Sequence, residues 1–278
     1  MTCLSVSTLQ LQMTTRVSLG AARCPSIATA SHSQPGAGGT ESARALASRA
    51  GPGHIGAVPD LNSPAGRTRA WLNSLFVDHA ALRLSWRNWG VVEAGRLYRS
   101  NHPLPWQLAQ AQRRHGLRSV VNLRGHRQDC GSDALGRARA GELGLIHADA
   151  PFESRGAPHK DRILRLAGLF ASMPEPVLIH CKSGADRTGL VAGIWLLLQG
   201  RPVEQALDQL HWRFGHVAAS RTGILDAFFH AYAAFTAAHG PKPFLDWVRE
   251  DYDEQALRDQ FRSKPWADRL VDGVLRRE

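Results

Sequence analysis

From residue 95 to residue 240 the chain alternates short apolar runs with longer amphipathic ones, the pattern of strands and helices taken in turn. Gly95 to Ser100 reads as a short strand, and Pro103 and Pro105 follow it, which suits the first turn of a helix. That helix carries Trp106, Leu108 and Gln112 and stops near Gly116. Ser119 to Leu123 reads as a buried strand. A helix over Asp133 to Leu143, a strand over Leu145 to Asp149, an amphipathic helix over His159 to Ser172 and an apolar strand over Val177 to Ile179 continue the alternation. Strands alternating with helices predict an α/β fold, a central, mostly parallel sheet flanked by helices. After residue 187 the pattern predicts helices alone, over Thr188 to Gln199, Val203 to Arg213 and Ile224 to His239, with Gly200, Gly215 and Gly240 as stops. No internal repeat interrupts this order.

The flanks differ in composition. The first sixty or so residues are rich in Ser, Thr, Gly, Ala and Pro, lack apolar periodicity and are almost free of acidic side chains. Such a stretch cannot bury enough apolar surface to offset its ordering entropy, so residues 1–65 are expected to be a disordered or targeting extension, with Met13 an alternative start. Order is expected to begin near Trp71, a catalytic domain to span 70–240, and residues 241–278, with Trp247 and Tyr252, to form a helical extension packed on that domain.

A hydrophobic content of 43% is ordinary for a globular core, whereas the formal charge of +10 is not neutral ground. Basic residues are spread from Arg16 to Arg277 without a stripe or a nucleic-acid-binding motif, so the excess points to anionic phosphate partners, a phosphorylated protein or a small polyanion, and not to nucleic acid. The four cysteines, Cys3, Cys24, Cys130 and Cys181, form no CxxC pair and no ligand spacing, which predicts no disulfide framework, no metal and no cofactor. The longest apolar run, Leu190 to Leu198, is too short to span a bilayer. A cytoplasmic setting is expected, unless the N-terminal extension is a targeting segment; the sequence is silent on oligomeric state.

The chemistry concentrates in Val177-Leu178-Ile179-His180-Cys181-Lys182-Ser183-Gly184-Ala185-Asp186-Arg187-Thr188-Gly189, an apolar strand that runs into a Cys-x5-Arg loop and on into a helix. Successive backbone N–H groups of a tight loop at a helix N-terminus make an anion cradle, with the helix dipole adding positive potential. The same field favours the thiolate of Cys181, the nucleophilic form. Arg187 can bind two phosphoryl oxygens through its planar fork. Thr188 can donate its hydroxyl to the departing sulfur. Lys182, Ser183, Gly184, Ala185 and Asp186 complete the expected phosphate-binding loop. Arg124, after the Val120 to Leu123 strand, is a candidate accessory phosphate contact, because strand C-terminal ends face the ligand crevice of a parallel sheet. His180 is expected to fix the loop through backbone hydrogen bonds rather than exchange protons.

These residues resemble the signature His-Cys-x5-Arg-Ser/Thr of the protein-tyrosine-phosphatase superfamily, in particular its small dual-specificity-like branch with bacterial members. The resemblance extends through Leu97-Tyr98-Arg99-Ser100 and Asn122-Leu123-Arg124-Gly125 and covers roughly residues 85–240. It implies phosphomonoester hydrolysis through a phosphocysteine intermediate without metal. It also implies an aspartate acid on a separate loop about thirty residues before the cysteine, which points to Asp149; Glu153 and Asp186 are the alternatives. Some relatives form a protective disulfide at the nucleophile, for which Cys130 is the candidate partner. An inositol phosphate or phosphoinositide is the alternative substrate, to which Lys182 and Asp186 lean. The readings of other classes are a phosphate-binding pseudophosphatase and a rhodanese-type sulfur transferase.

Overall fold

The computed structural model describes residues 60–262, so the expected N-terminal extension up to residue 59 and the final residues from 263 lie outside the described residues. The described chain opens with helix α1 (Pro64–Leu72), which begins ahead of Trp71. Ser63 caps it by accepting the Gly66 N–H at 3.1 Å, with Pro64 in the first turn. A single π turn (Asn73–Val77) and a 3-10 turn (Ala80–Arg83) lead to strand β1 (Gly90–Glu93). Strand β2 (Leu97–Ser100), helix α2 (Pro105–His115), strand β3 (Ser119–Asn122), helix α3 (Gly131–Glu142), strand β4 (Ile146–Asp149), helix α4 (Lys160–Ser172), strand β5 (Val177–His180) and helix α5 (Asp186–Leu198) follow the expected alternation.

The five strands form one sheet in the order β1-β2-β5-β3-β4, antiparallel only between β1 and β2. β1 is the element that the sequence pattern did not reveal: it is a four-residue edge strand, exposed enough to lack a continuous apolar run. Every residue of β2, β3 and β5 is buried, as expected of parallel strands covered on both faces. The pleat divides their side chains between two cores. Leu97, Val121, Val177 and Ile179 join the cluster under α4 and α5, whereas Tyr98, Val120 and Leu178 pack with Leu108 and Leu117 on the other face. β5 is thus the middle strand, flanked by β2 and β3, and its C-terminal end delivers Cys181 to the crevice edge of the sheet.

Beyond α5 lie helix α6 (Val203–Leu207), 3-10 turns at Trp212–Phe214 and Arg221–Gly223, helix α7 (Ile224–His239), helix α8 (Phe244–Glu250) and helix α9 (Glu254–Arg262). The expected helix over Val203 to Arg213 stops at Leu207. Its continuation is diverted because both the main-chain and side-chain oxygens of Gln209 accept from Arg99, at 2.7 and 3.0 Å, and the side chain of His211 caps the 3-10 turn that follows. The C-terminal helices are tied to the sheet layer. Tyr252 donates its hydroxyl to the Pro158 carbonyl at 2.8 Å, and Glu254 accepts from the Lys160 N–H at 2.6 Å and pairs with His159 at 2.8 Å, closing the N-terminus of α4. No helix among the described residues is long and apolar enough to cross a membrane.

Phe228 of α7 is the hub of this region: fully buried, its ring meets those of Phe229, Phe244, Trp247 and Tyr252. Phe228→Ala is expected to lower the unfolding free energy by about 3–5 kcal/mol, as large-to-small changes in packed aromatic cores do. Denaturant titration checks it; a loss under ~1 kcal/mol would mean that α8 is not part of the cooperative core.

Candidate active site

At the end of β5 the chain turns through Cys181 to Ala185 before α5 starts at Asp186. Cys181 is almost wholly buried, and its Sγ accepts a hydrogen bond from the Gly184 N–H at 3.2 Å. Gly184 has φ +79, and a Cβ there would stand 2.7 Å from the Asn101 nitrogen, so the position requires glycine on both conformational and steric grounds. Gly189, in the first turn of α5, lets the Gln209 carbonyl approach to where a Cβ would lie 2.6 Å from that oxygen. The buried Arg187 Nε and the buried Thr188 Oγ1 have no hydrogen-bond partner. Buried polar groups are normally satisfied, so these two in the first turn of α5, with Arg99 Nε and His180 Nδ1 likewise unpartnered, stand out. Lys182 is half-buried and Ser183 exposed, and the Ser183 hydroxyl accepts the Ala185 N–H at 3.3 Å.

The outer side of the loop is held by residues that precede it in sequence by some eighty to ninety positions. The His102 N–H donates to the Lys182 carbonyl at 3.3 Å, and the side chain of Asn88 donates to the Ser183 carbonyl at 2.8 Å. Arg99 Nη2 donates to the Gly184 carbonyl at 2.7 Å and reaches that of Ala185 at 3.4 Å. Neither Asn88 nor a role for Arg99 was evident in the sequence, although Arg99 lies within the Leu97-Tyr98-Arg99-Ser100 string. The His102 and His180 rings lie 4.5 Å apart and tilted to each other, and burial pushes both imidazoles well below their usual range, so they sit neutral behind the loop.

Arg124 does not offer its fork to a ligand as expected. It is buried and paired with both carboxylate oxygens of Asp78, at 2.7 and 3.0 Å, while Arg83 takes the same carboxylate at 2.6 Å. Burial works against the Asp78 charge, but the Arg124 and Arg83 contacts outweigh it and hold this carboxyl well below the usual range. Asp78, contributed by the turn after α1, is the second residue that sequence reasoning missed.

The three acid candidates are each paired with a cation. Asp149, at the end of β4, accepts from Arg137 at 2.7 Å and from Asn122 at 3.2 Å. Asn122 stands level with Asp149 on one side and with His180 on the other, so all three lie on the same sheet face. Glu153 lies on the following loop beside His159 at 3.2 Å and Arg162 at 3.6 Å. Asp186, at the start of α5, pairs with His216 Nδ1 at 2.7 Å, and His216 Nε2 pairs with Asp226 at the same distance. Cys130 is a buried free thiol, as is Cys181.

The loop from Cys181 to Ala185 thus lies at the crevice edge of a five-stranded α/β sheet, between β5 and α5. Residues 107–222 match the family described as "DSP-PTPase phosphatase fused to NAD+ Kinase". No curated protein matches the chain significantly. Among solved structures it is similar to TpbA of P. aeruginosa, at 23% identity and TM-score 0.43 over 63% of this chain and 91% of that one. It is also similar to the core catalytic domain of the PP-IP phosphatase SIW14 of S. cerevisiae, at 17% identity and TM-score 0.39 over 64% and 93%. PTPMT1 matches at 13% identity and TM-score 0.38 over 54% and 99%.

The Asp186–His216–Asp226 bridge has a pH signature. Burial opposes the imidazolium, but the two carboxylates outweigh it and raise the His216 pKa from 6.5 to about 9. A pKa raised on folding contributes stability that is complete below pH 6.5 and is lost as the pH rises through about 9. His216→Gln should therefore lower the melting temperature below pH 6.5, with the gap to the unmodified protein narrowing above pH 9. A gap of constant size across that window would show that the bridge carries no charge.

Proposed function

We propose that this chain hydrolyses phosphomonoesters in two steps through a phosphocysteine at Cys181. The observation that supports it most is the loop itself. A Gly184 N–H points at the Cys181 sulfur, and Arg187 Nε and Thr188 Oγ1, in the first turn of the helix that follows, are buried without a partner. In the first step the Cys181 thiolate attacks phosphorus, the bond from phosphorus to the leaving oxygen breaks, and Asp149 gives that oxygen its proton. Backbone N–H groups of Ser183, Gly184, Ala185 and Asp186 and the Arg187 fork carry the charge on the equatorial oxygens. In the second step water attacks phosphorus while Asp149 takes its proton, the sulfur–phosphorus bond breaks, Thr188 donates to the departing thiolate, and phosphate leaves.

In this reading Arg124 works through Asp78, clamping the turn after α1 to the end of β3, rather than on substrate. Asp149 is preferred over Glu153 and Asp186 for two reasons. It ends a strand on the same sheet face as His180, and Asp186 is committed to the His216 bridge. The Arg137 contact suits the carboxylate that activates water; the first step requires Asp149 to leave it as substrate enters.

Two measurements check the reading. Hydrolysis of para-nitrophenyl phosphate should persist in EDTA with reductant and disappear in Cys181→Ser; equal rates in both proteins would remove Cys181 as nucleophile. Asp149→Asn should lower kcat by about 10²–10⁴ for a poor leaving group such as an alkyl phosphate, and far less for para-nitrophenol, which needs little protonation. An equal, small effect on both substrates would pass the acid role to Glu153.

A further inference from the structure

We propose that Asn88 and Arg99 are positioning residues of the phosphatase loop, which aim its amide protons at the anion by holding its carbonyl oxygens outward. The proposal rests on the phosphatase reading above for its meaning, but on the loop geometry for its support. In a trans peptide the C=O and N–H bonds point in opposite directions, so fixing one fixes the other. Every peptide from Lys182 to Asp186 is trans, and the carbonyls of Lys182, Ser183, Gly184 and Ala185 are all bonded on the outer side. The opposite ends of those four planes are the N–H groups of Ser183, Gly184, Ala185 and Asp186, the cradle itself. The Gly184 N–H, whose plane is set by Asn88, is the one that reaches the Cys181 sulfur.

The two side chains suit this task and little else. Asn88 sits at φ +45, a left-handed conformation that asparagine tolerates better than most residues. Its Nδ2 carries two protons, and both are used, one on the Ser183 carbonyl and the other on the Phe214 carbonyl at 2.8 Å. Arg99 is fully buried, bonds only neutral oxygens and lies flat on the Phe214 ring at 3.7 Å. One face of Phe214 and its carbonyl thus join the two braces into a unit. A buried guanidinium without a carboxylate partner is expensive unless another negative charge repays it. Burial pushes Arg99 below its ordinary range, the Cys181 thiolate opposes that fall, and the charge of Arg213 adds to it.

Two variants test the brace. Asn88→Asp keeps the shape and tolerates the backbone angle but replaces two donors with acceptors facing two carbonyls. Arg99→Lys keeps the charge but loses the fork. Each variant that melts cooperatively is measured three ways: kcat on para-nitrophenyl phosphate, inhibition by inorganic phosphate, and the pH profile of Cys181 alkylation by iodoacetamide. Loss of preorganised donors is expected to lower kcat by about 10²-fold and to weaken phosphate inhibition by about tenfold, with the alkylation profile moving to higher pH. A lower melting temperature with kcat, phosphate inhibition and the alkylation profile unchanged would overturn the proposal, because it would reduce both residues to fold support. The phosphate and alkylation readouts do not depend on turnover. If the unmodified chain proves inactive, titration of inorganic phosphate by calorimetry and the alkylation profile still decide the brace.

Discussion

A tight loop that binds an anion must keep several carbonyl oxygens away from it, and the rest of this structure is arranged around that constraint. The carbonyls of Lys182, Ser183 and Gly184 take their donors from outside the loop, whereas that of Ala185 also accepts the Gly189 N–H of α5 at 2.9 Å. The donors come from the edge hairpin and its flanks, at Asn88, Arg99 and the His102 backbone. This explains why β2 lies beside β5 and why β1 exists at all: the hairpin carries Arg99 beneath the loop and leaves Asn88 just outside β1. The chain from Trp86 to Asn88 is anchored in turn by Asn101, whose N–H donates to the Arg87 carbonyl and whose side chain donates to that of Trp86 at 2.5 Å.

The same constraint reaches the helical half. Arg99 uses its second nitrogen on Gln209, and that contact ends α6 and shapes the turn that presents Phe214 to both braces. From there the chain runs directly to His216, which closes on Asp186 at the start of α5. The segment from 203 to 216 therefore serves as a rear wall for the loop, although by pattern it resembles one more amphipathic helix.

That difference marks what was legible beforehand. The string from Val177 to Gly189 is local, and strand, loop and helix start follow from neighbouring residues, so the structural setting of Cys181, Arg187 and Thr188 could be read directly. The parallel sheet was legible for a similar reason, since strands buried on both faces are continuous apolar runs, as at Ser119 to Asn122. Asn88, Asp78 and His216 were not legible, because each acts across a large sequence separation on a partner that the pattern does not name. β1 was hidden by its exposure, and the end of α6 by a competing acceptor demand from Arg99. Arg124 was read as an accessory phosphate contact, but its partner, Asp78, comes from a turn before the first strand.

Charge in the site is governed by pairing more than by type. His102 and His180, buried without carboxylates, are held neutral, whereas His216, buried between two carboxylates, is held charged. The positive potential around Cys181 therefore cannot come from the two imidazoles nearest the loop. It comes from backbone N–H groups, the start of α5, and the guanidinium groups of Arg187 and Arg99. Arg99 has spent both terminal nitrogens on neutral oxygens, and the Nε of both arginines is buried without a partner. Arg99, bonded to the loop's own carbonyls, holds the loop in a single shape. Donors held in place before charge develops against them lose little reorganisation energy, so the arginine behind the loop belongs to the same design as the loop's own N–H groups.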